Sequence, residues 1–137
     1  MKLTACSEIQ VNPQCITVDG TPWFPVMGEA HYSRIAPDTW EKELLKMKAG
    51  GVDIVSAYCI WIHHEEVQNE FDFSGCRDVR RFLETIRKCG LYCFLRIGPW
   101  AHGEARNGGF PDWLVGDRKS TRLNSSHPTT SRMPSSA

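Results

Sequence analysis

Residues 52–61 read VDIVSAYCIW, and this stretch decides the fold class. It is nearly continuously apolar, with β-branched and aromatic side chains, and only Asp53 and Ser56 interrupt it. A run of this length and composition is typical of a strand that is buried on both faces of a parallel sheet. We therefore predict a strand over residues 52–61 in an α/β domain.

Two amphipathic segments lie on either side of this strand in the sequence. Residues 36–51, APDTWEKELLKMKAGG, begin with helix-favouring Pro and Asp and end in two glycines. Residues 76–90, CRDVRRFLETIRKCG, also show helical spacing. The predicted buried faces are Trp40, Leu44, Leu45 and Met47 in the first helix, and Val79, Phe82, Leu83 and Ile86 in the second.

Two further strands complete a β-α-β-α-β order. One is predicted to begin near residue 24 and the other spans residues 91–100, LYCFLRIGPW. Upstream, CITV and PWFPVM flank Asp19-Gly20, a dipeptide that favours the tight turn of a β-hairpin. Alternating strands and helices argue for a parallel sheet with helical crossovers. A doubly wound sheet and a (β/α)₈ barrel both fit this order.

The turns after the strands favour the barrel. MGEAHYSRIAP follows the first strand and lacks the GxGxxG of a dinucleotide fold. Polar and aromatic residues follow every strand: Glu29, His31, Tyr32 and Arg34; then Tyr58, Trp61, His63, His64, Glu65 and Glu66; then Arg96, Trp100, His102, Glu104, Arg106 and Asn107. Functional groups at the C-terminal ends of strands are typical of a (β/α)₈ barrel. We predict about three β/α units of such a barrel, preceded by a β-hairpin.

Three interpretations of these strand-end residues stay open on residue types alone. Aromatic faces and carboxylates (Tyr58, Trp61 and Trp100 with Glu65 and Glu104) suit a sugar. Histidines with a carboxylate (His31, His63, His64 and His102 with Glu29 or Glu104) could ligate a metal, although adjacent His63 and His64 would point to opposite faces of an extended backbone. Purely structural pairing is the third, with Arg34 and Arg96 bound to buried carboxylates such as Glu29.

Composition excludes several classes of protein. The 16 basic and 16 acidic residues balance, which argues against a nucleic-acid binder, and no apolar run approaches the length of a membrane helix. The first residues lack the apolar core of a signal peptide. The six cysteines form no CxxC pair, and we interpret them as reduced packing residues. These features predict a cytoplasmic protein and leave its oligomeric state open.

Several motifs occur together in order: GEAHYSRI, W-x(3)-L-x-K-M-K-A-G-G, AYCIWIHHE, FDFSG, GLYCFLRIGPW and GEARNGGFPDWL. In these motifs the chain resembles the N-terminal part of the catalytic barrel of glycoside hydrolase family 35, the retaining β-galactosidases, over about residues 16–115. The resemblance implies removal of terminal β-linked galactose through a covalent glycosyl-enzyme intermediate, with no metal or organic cofactor. The implied partner is a β-galactoside.

The resemblance also implies roles for individual residues. Tyr58, Ala101, His102, Gly103 and Glu104 match positions that bind the substrate. His64 and Glu65 match a His-Glu pair that shapes the site in the family. The strand-end residues Glu29, His31, Arg34, Trp61 and Trp100 complete the set that we expect to shape the site. Trp100, His102 and Ala105 depart from the residues that the family often carries, and this bears on the preference for galactose.

Glu104 receives two different assignments. From the residues alone, a glutamate ahead of the Gly108-Gly109 bend is a candidate catalytic acid, with Glu29 or Glu65 as its partner carboxylate. In the family, however, the acid/base glutamate follows the fourth strand and the nucleophile follows the seventh. On that basis Glu104 binds substrate, and neither catalytic glutamate belongs to the strands predicted here.

The composition changes after residue 116. Residues 117–137, DRKSTRLNSSHPTTSRMPSSA, contain no aromatic residue and few apolar ones. Such a segment favours a flexible tail, and it resembles a translated frame of a common short-read sequencing adapter. We therefore expect residues 1–116 to be a truncated catalytic barrel and residues 117–137 to be a disordered, non-native tail.

Overall fold

Three parallel strands with helices between them form the larger part of the computed structural model, which describes residues 7–116. The strands are β4 (Met27–Glu29), β5 (Ile54–Tyr58) and β6 (Tyr92–Arg96), adjacent in that order. The helices between them are α1 (Trp40–Ala49) and α3 (Val79–Lys88). The α/β alternation predicted from the sequence is therefore present.

An antiparallel sheet precedes these strands. Its strands are β1 (Ile9–Val11), β2 (Ile16–Val18) and β3 (Thr21–Trp23), paired in that order. Asp19 and Gly20 connect β2 to β3 with φ of +51° and +75°, the left-handed pair that a tight hairpin turn requires. The first strand, β1, was not predicted from the sequence.

The chain divides into two units, one of residues 7–58 and 73–96 and one of residues 59–72 and 97–116 within the described range. The first unit holds both sheets and the main core, which is built from Tyr32, Trp40, Leu44, Val55, Ala57, Phe82, Ile86, Cys89 and Leu91. Phe82 and Ile86 are buried and Val79 and Leu83 pack against the core, as the periodicity of α3 predicts. Asp78 caps α3 by accepting a hydrogen bond from the Arg81 backbone N–H.

Two details of the predicted core are corrected. Leu45 is 47% exposed, because only Trp40, Leu44 and Met47 of α1 face the core. The described cysteines, Cys15, Cys59, Cys76, Cys89 and Cys93, are free thiols, as predicted, but only Cys89 is buried. The packing role is therefore wrong for the exposed Cys76 and Cys93.

The central strand is shorter than predicted. It ends at Tyr58, and residues 61–64, expected to complete the strand and begin a polar loop, form the one-turn helix α2 (Trp61–His64). Ile62, His64 and Glu65 are all buried, so this segment is not a simple solvated loop. Three 3₁₀ turns complete the described elements: Tyr32–Arg34, Gly75–Arg77 and Arg106–Gly109, and residues 112–116 are helical. No helix in the described part of the chain is long and apolar enough to cross a membrane.

Candidate functional site

The C-terminal ends of the three parallel strands bring four side chains together, which we call the strand-end cluster: Glu29, His31, Tyr58 and Arg96. Glu29 ends β4 and Tyr58 ends β5, while Arg96 ends β6 directly opposite Tyr58. His31 follows β4 by two residues. Parallel strands in register present their C-terminal ends at one edge, and this explains the gathering of residues that are far apart in the sequence.

The strand-end cluster is held by ionic and ring contacts. The Arg96 guanidinium carbon lies 3.6 Å from the centroid of the Tyr58 ring. An Arg96 Nη2 hydrogen bond reaches one carboxylate oxygen of Glu29, and the other oxygen lies 2.9 Å from His31 Nε2. Among the described residues, Arg96 Nε is buried without a hydrogen-bond partner. The guanidinium therefore binds Glu29 through one nitrogen while its face covers the tyrosine.

His31 is held in its neutral form. Burial lowers the pKa of His31 below its ordinary value of 6.5, and the charges of Arg34 and Arg96 lower this pKa further. The charge of Glu29 and its hydrogen bond act in the opposite direction but do not overcome the burial. The Tyr58 backbone N–H donates to His31 Nδ1 at 3.3 Å. Nδ1 must then be unprotonated, so Nε2 carries the proton that faces Glu29.

A second group of side chains lies in the second unit, which comprises residues 59–72 and 97–116. We call this group the loop cluster; its members are Trp61, Glu65, Phe110 and Trp113. Glu65 is only 4% exposed, and its two carboxylate oxygens accept from Trp61 Nε1 at 2.5 Å and the Asn69 backbone N–H at 2.8 Å. Trp113 Nε1 donates to the Glu65 carbonyl oxygen at 3.2 Å. The Trp61 ring contacts Phe110 and Trp113, each at 5.9 Å between centroids. Both oxygens of Glu65 are thus used inside the protein, which fits a site-shaping residue.

The loop that carries Glu104 has an unusual backbone. Glu104 is exposed and adopts φ of +49°, and Asn107 adopts φ of +55°; left-handed backbone at a residue other than glycine often marks a functional site. The Ala101 N–H donates to the Gly108 carbonyl at 2.8 Å and fixes the base of the loop. These contacts leave the Glu104 carboxylate at the surface.

Trp100 stands on the same loop and is half exposed. Its ring contacts His102 at 6.2 Å and Phe110 at 6.0 Å between centroids. A Cβ on Gly108 would lie 2.2 Å from a ring carbon of Trp100. Only glycine therefore leaves room for this tryptophan.

The structure brings some of the sequence-predicted residues together and leaves others as separate features. Glu29, His31 and Tyr58 meet in the strand-end cluster, where Arg96 pairs with Glu29. The structural interpretation expected this pair, but its expectation of a buried carboxylate is wrong, because the Glu29 side chain is 46% exposed. Trp61 and Glu65 meet in the loop cluster, and neighbouring His64 is buried with Nδ1 3.0 Å from the Asp72 carbonyl oxygen. Ala101 and Gly103 are buried, whereas His102 and Glu104 are exposed.

Sequence reasoning missed two contributors to the loop cluster, Phe110 and Trp113. Trp113 contacts Glu65 across 48 residues of sequence, and only the aromatic content of the FPDWL motif signalled it. Within residues 7–116, no three His, Cys, Asp or Glu side chains lie together in a way that could hold a metal ion. Each of the two units therefore offers carboxylates, hydrogen-bond donors and aromatic faces, and groups of these types suit a polar, hydroxyl-rich ligand.

The model of the family described as glycosyl hydrolases family 35 matches residues 15–133. The matched range includes part of the segment 117–137, which lies outside the described residues, so its adapter-like origin stays a prediction. Beta-galactosidase 6 of Oryza sativa subsp. japonica is 38% identical over 79% of this chain and 13% of its own length. The beta-galactosidase of Pongo abelii is 37% identical over 88% of this chain and 18% of its own length.

A solved structure shares the fold. The crystal structure of beta-galactosidase from the psychrophilic Marinomonas ef1 matches with a TM-score of 0.57 and 17% sequence identity, over 71% of this chain and 13% of that chain. The chain thus spans less than a fifth of the length of the curated relatives given above and of this structure.

Proposed function

Because the chain belongs to glycosyl hydrolase family 35, we propose that it supplies the first three β/α units of the (β/α)₈ catalytic barrel of a retaining exo-β-galactosidase. The substrate would be a carbohydrate that ends in β-linked galactose, since the relatives are named beta-galactosidases. The observation that carries the proposal is the strand-end cluster, because barrel enzymes bind substrate at the C-terminal ends of their strands.

In this proposal the residues of the chain bind and orient the sugar. The Glu104 carboxylate is exposed on a fixed backbone and can accept hydrogen bonds from sugar hydroxyls. Tyr58 would contact the galactose from the end of β5. The backbone of Ala101, His102 and Gly103 matches the stretch that lies beside the sugar-binding glutamate in the family. Trp100 offers an aromatic face of the kind that packs on the C–H side of a sugar ring.

Bond cleavage would be carried out by two other carboxylates. In a retaining mechanism one carboxylate attacks the anomeric carbon while the other protonates the departing oxygen, and the second then deprotonates the water that releases the sugar. The family places these groups after the fourth and seventh strands. We therefore expect no release of nitrophenol from a nitrophenyl β-galactoside by the purified 137-residue chain. Hydrolysis that co-purifies with this chain, at a rate proportional to its concentration, would contradict the placement of both reacting carboxylates outside it.

The test of the proposed function uses the full-length protein that contains this chain. It should hydrolyse a nitrophenyl β-galactoside faster than the matching β-glucoside. Glu104→Gln should lower kcat/KM about 10- to 100-fold, since a charge-assisted hydrogen bond contributes about 1.5–3 kcal/mol. The matched control is Glu70→Gln, an exposed glutamate of the same unit, which should leave kcat/KM unchanged. Equal kinetics for wild type and Glu104→Gln would reject the binding role.

Two alternatives predict different results in the same assay. A metal-dependent barrel hydrolase would lose activity after dialysis against EDTA and regain it with a divalent cation. A non-catalytic carbohydrate-binding protein would bind galactosides in calorimetry without hydrolysing them. A cytoplasmic location remains a prediction, to be checked by fractionating cells that express the full-length protein.

A further inference from the structure

The contacts of the strand-end cluster form a closed ring around Tyr58. The Tyr58 backbone N–H binds His31 Nδ1, His31 Nε2 binds Glu29, Glu29 binds Arg96, and Arg96 returns to cover the Tyr58 ring. The His31 ring also contacts the Tyr58 ring, with 5.5 Å between centroids. None of these contacts uses the Tyr58 hydroxyl. This closed set of contacts therefore fixes the backbone and the aromatic face of Tyr58 and leaves the Tyr58 hydroxyl for another partner.

The closed set of contacts around Tyr58 depends on the protonation state of His31. Protonated His31 would carry N–H groups at both ring nitrogens, and the one at Nδ1 would oppose the Tyr58 backbone N–H. The charged groups that act on His31 are Glu29, which favours the proton, and Arg34 and Arg96, which oppose it. Burial outweighs the effect of Glu29 and lowers the pKa of His31, so the ring is intact at neutral pH.

We propose that His31, with Glu29 and Arg96, is a positioning residue that holds Tyr58 in place for the galactoside, and that it does so only in its neutral form. This inference rests on the proposed function, because it takes Tyr58 as a sugar contact. In this role Glu29 and His31 act through Tyr58 and do not need to contact the substrate themselves. A misplaced Tyr58 would weaken sugar binding more than it would slow the chemical step, since the reacting carboxylates lie elsewhere.

The experiment measures kcat and KM for a nitrophenyl β-galactoside in the full-length protein at several pH values. His31→Phe removes both hydrogen bonds and should raise KM about tenfold, the effect of roughly one hydrogen bond, with kcat changed less than about twofold. His31→Asn keeps an acceptor near the position of Nδ1 and should recover most of the lost affinity. Glu29→Gln should raise KM in the same direction by a smaller factor.

The pH profile separates positioning from a purely structural role. In the wild type, KM should rise as the pH falls below 6.5, through the lowered pKa of His31. In His31→Asn this acid rise should be absent, because asparagine does not titrate, whereas the carboxylates that perform the chemistry are the same in both proteins. The control Glu41→Gln breaks the exposed Glu41–Lys88 ion pair and should leave KM and its pH profile unchanged.

The outcomes are distinguishable. If the wild type fails to hydrolyse the β-galactoside, the proposed function is wrong. If the wild type is active and His31→Asn keeps the same acid rise in KM, or His31→Phe leaves KM unchanged, the positioning role is wrong. Circular dichroism identifies any variant that fails to fold, and Glu29→Gln, which perturbs the half-exposed side of the ring, then tests the same contacts.

Discussion

The strand-end cluster and the loop cluster each hold a glutamate, and they hold it in different ways. The Glu29 side chain is 46% exposed and binds two cationic or protonatable groups, Arg96 and His31. Glu65 is 4% exposed and binds two neutral N–H donors, from Trp61 and Asn69. One carboxylate is thus placed by charge near solvent, and the other by hydrogen bonds inside a group of aromatic rings.

The difference predicts where stability and where function reside. Ion pairs near solvent contribute little to folding, because water and salt screen them and long side chains lose entropy. Buried hydrogen-bonded groups are different, because removing one partner leaves the other buried without a hydrogen bond and strongly lowers the free energy of unfolding. We infer that the loop cluster maintains the structure of its unit and that the strand-end cluster adjusts the site.

The largest expected effect comes from Glu65. Glu65→Ala leaves the Trp61 indole N–H and the Asn69 N–H without their acceptors and should lower the free energy of unfolding by about 3 kcal/mol. The measurement is urea denaturation of the full-length protein, monitored by tryptophan fluorescence. Glu70→Ala, at an exposed glutamate of the same unit, should change it by less than about 0.5 kcal/mol. Equal midpoints for the two variants would show that Glu65 is not a structural residue.

The next effect concerns the glycine under Trp100. Gly108 and Gly75 both adopt left-handed backbone, with φ of +66° and +55°, but a Cβ on Gly75 would meet nothing within 4 Å. Gly75→Ala should therefore cost about 1 kcal/mol of backbone strain alone. Gly108→Ala should cost about 2 kcal/mol, because it also displaces Trp100 from Phe110 and His102.

The same pair of variants bears on function. Displacing Trp100 should raise KM for a β-galactoside in Gly108→Ala, while Gly75→Ala should leave KM unchanged. If both variants lose the same free energy of unfolding in urea, the Trp100 ring is not held by the loop. If only the stability differs and KM does not, Trp100 has no part in binding the sugar.

The sequence predicts the regular elements of this chain well, because their signals are local. The spacing of Phe82 and Ile86 identifies the buried face of α3, and the apolar run identifies β5. The apolar run is misleading at Trp61, because the run continues to this residue but residues 61–64 form the helix α2. The Trp61 side chain reaches Glu65 four residues later, and this contact, which favours a helical turn, is invisible to hydrophobic periodicity.

The site is predictable only in part for a related reason. Polar residues after each strand predict that Glu29, Tyr58 and Arg96 lie at one edge, since parallel strands end together. Which of them touch depends on register, and Glu29 and Arg96 are 67 residues apart in the sequence. The assignment of Nδ1 of His31 as an acceptor requires the position of the Tyr58 backbone, which no residue pattern supplies.

The smallest expected effect on stability comes from Glu29, and it tests the comparison most directly. Glu29→Gln removes a charge from a half-exposed pair with Arg96 and should lower the free energy of unfolding by less than about 1 kcal/mol. Because salt screens such pairs, the loss should shrink further in 1 M sodium chloride, where the Debye length is about 3 Å. Glu65→Gln, which keeps its shape but offers one carbonyl oxygen for two donors, should be more destabilising at both salt concentrations. If Glu29→Gln proves the more harmful variant, and the harm does not depend on salt, then the strand-end cluster is the structural one and the roles of the two clusters are reversed.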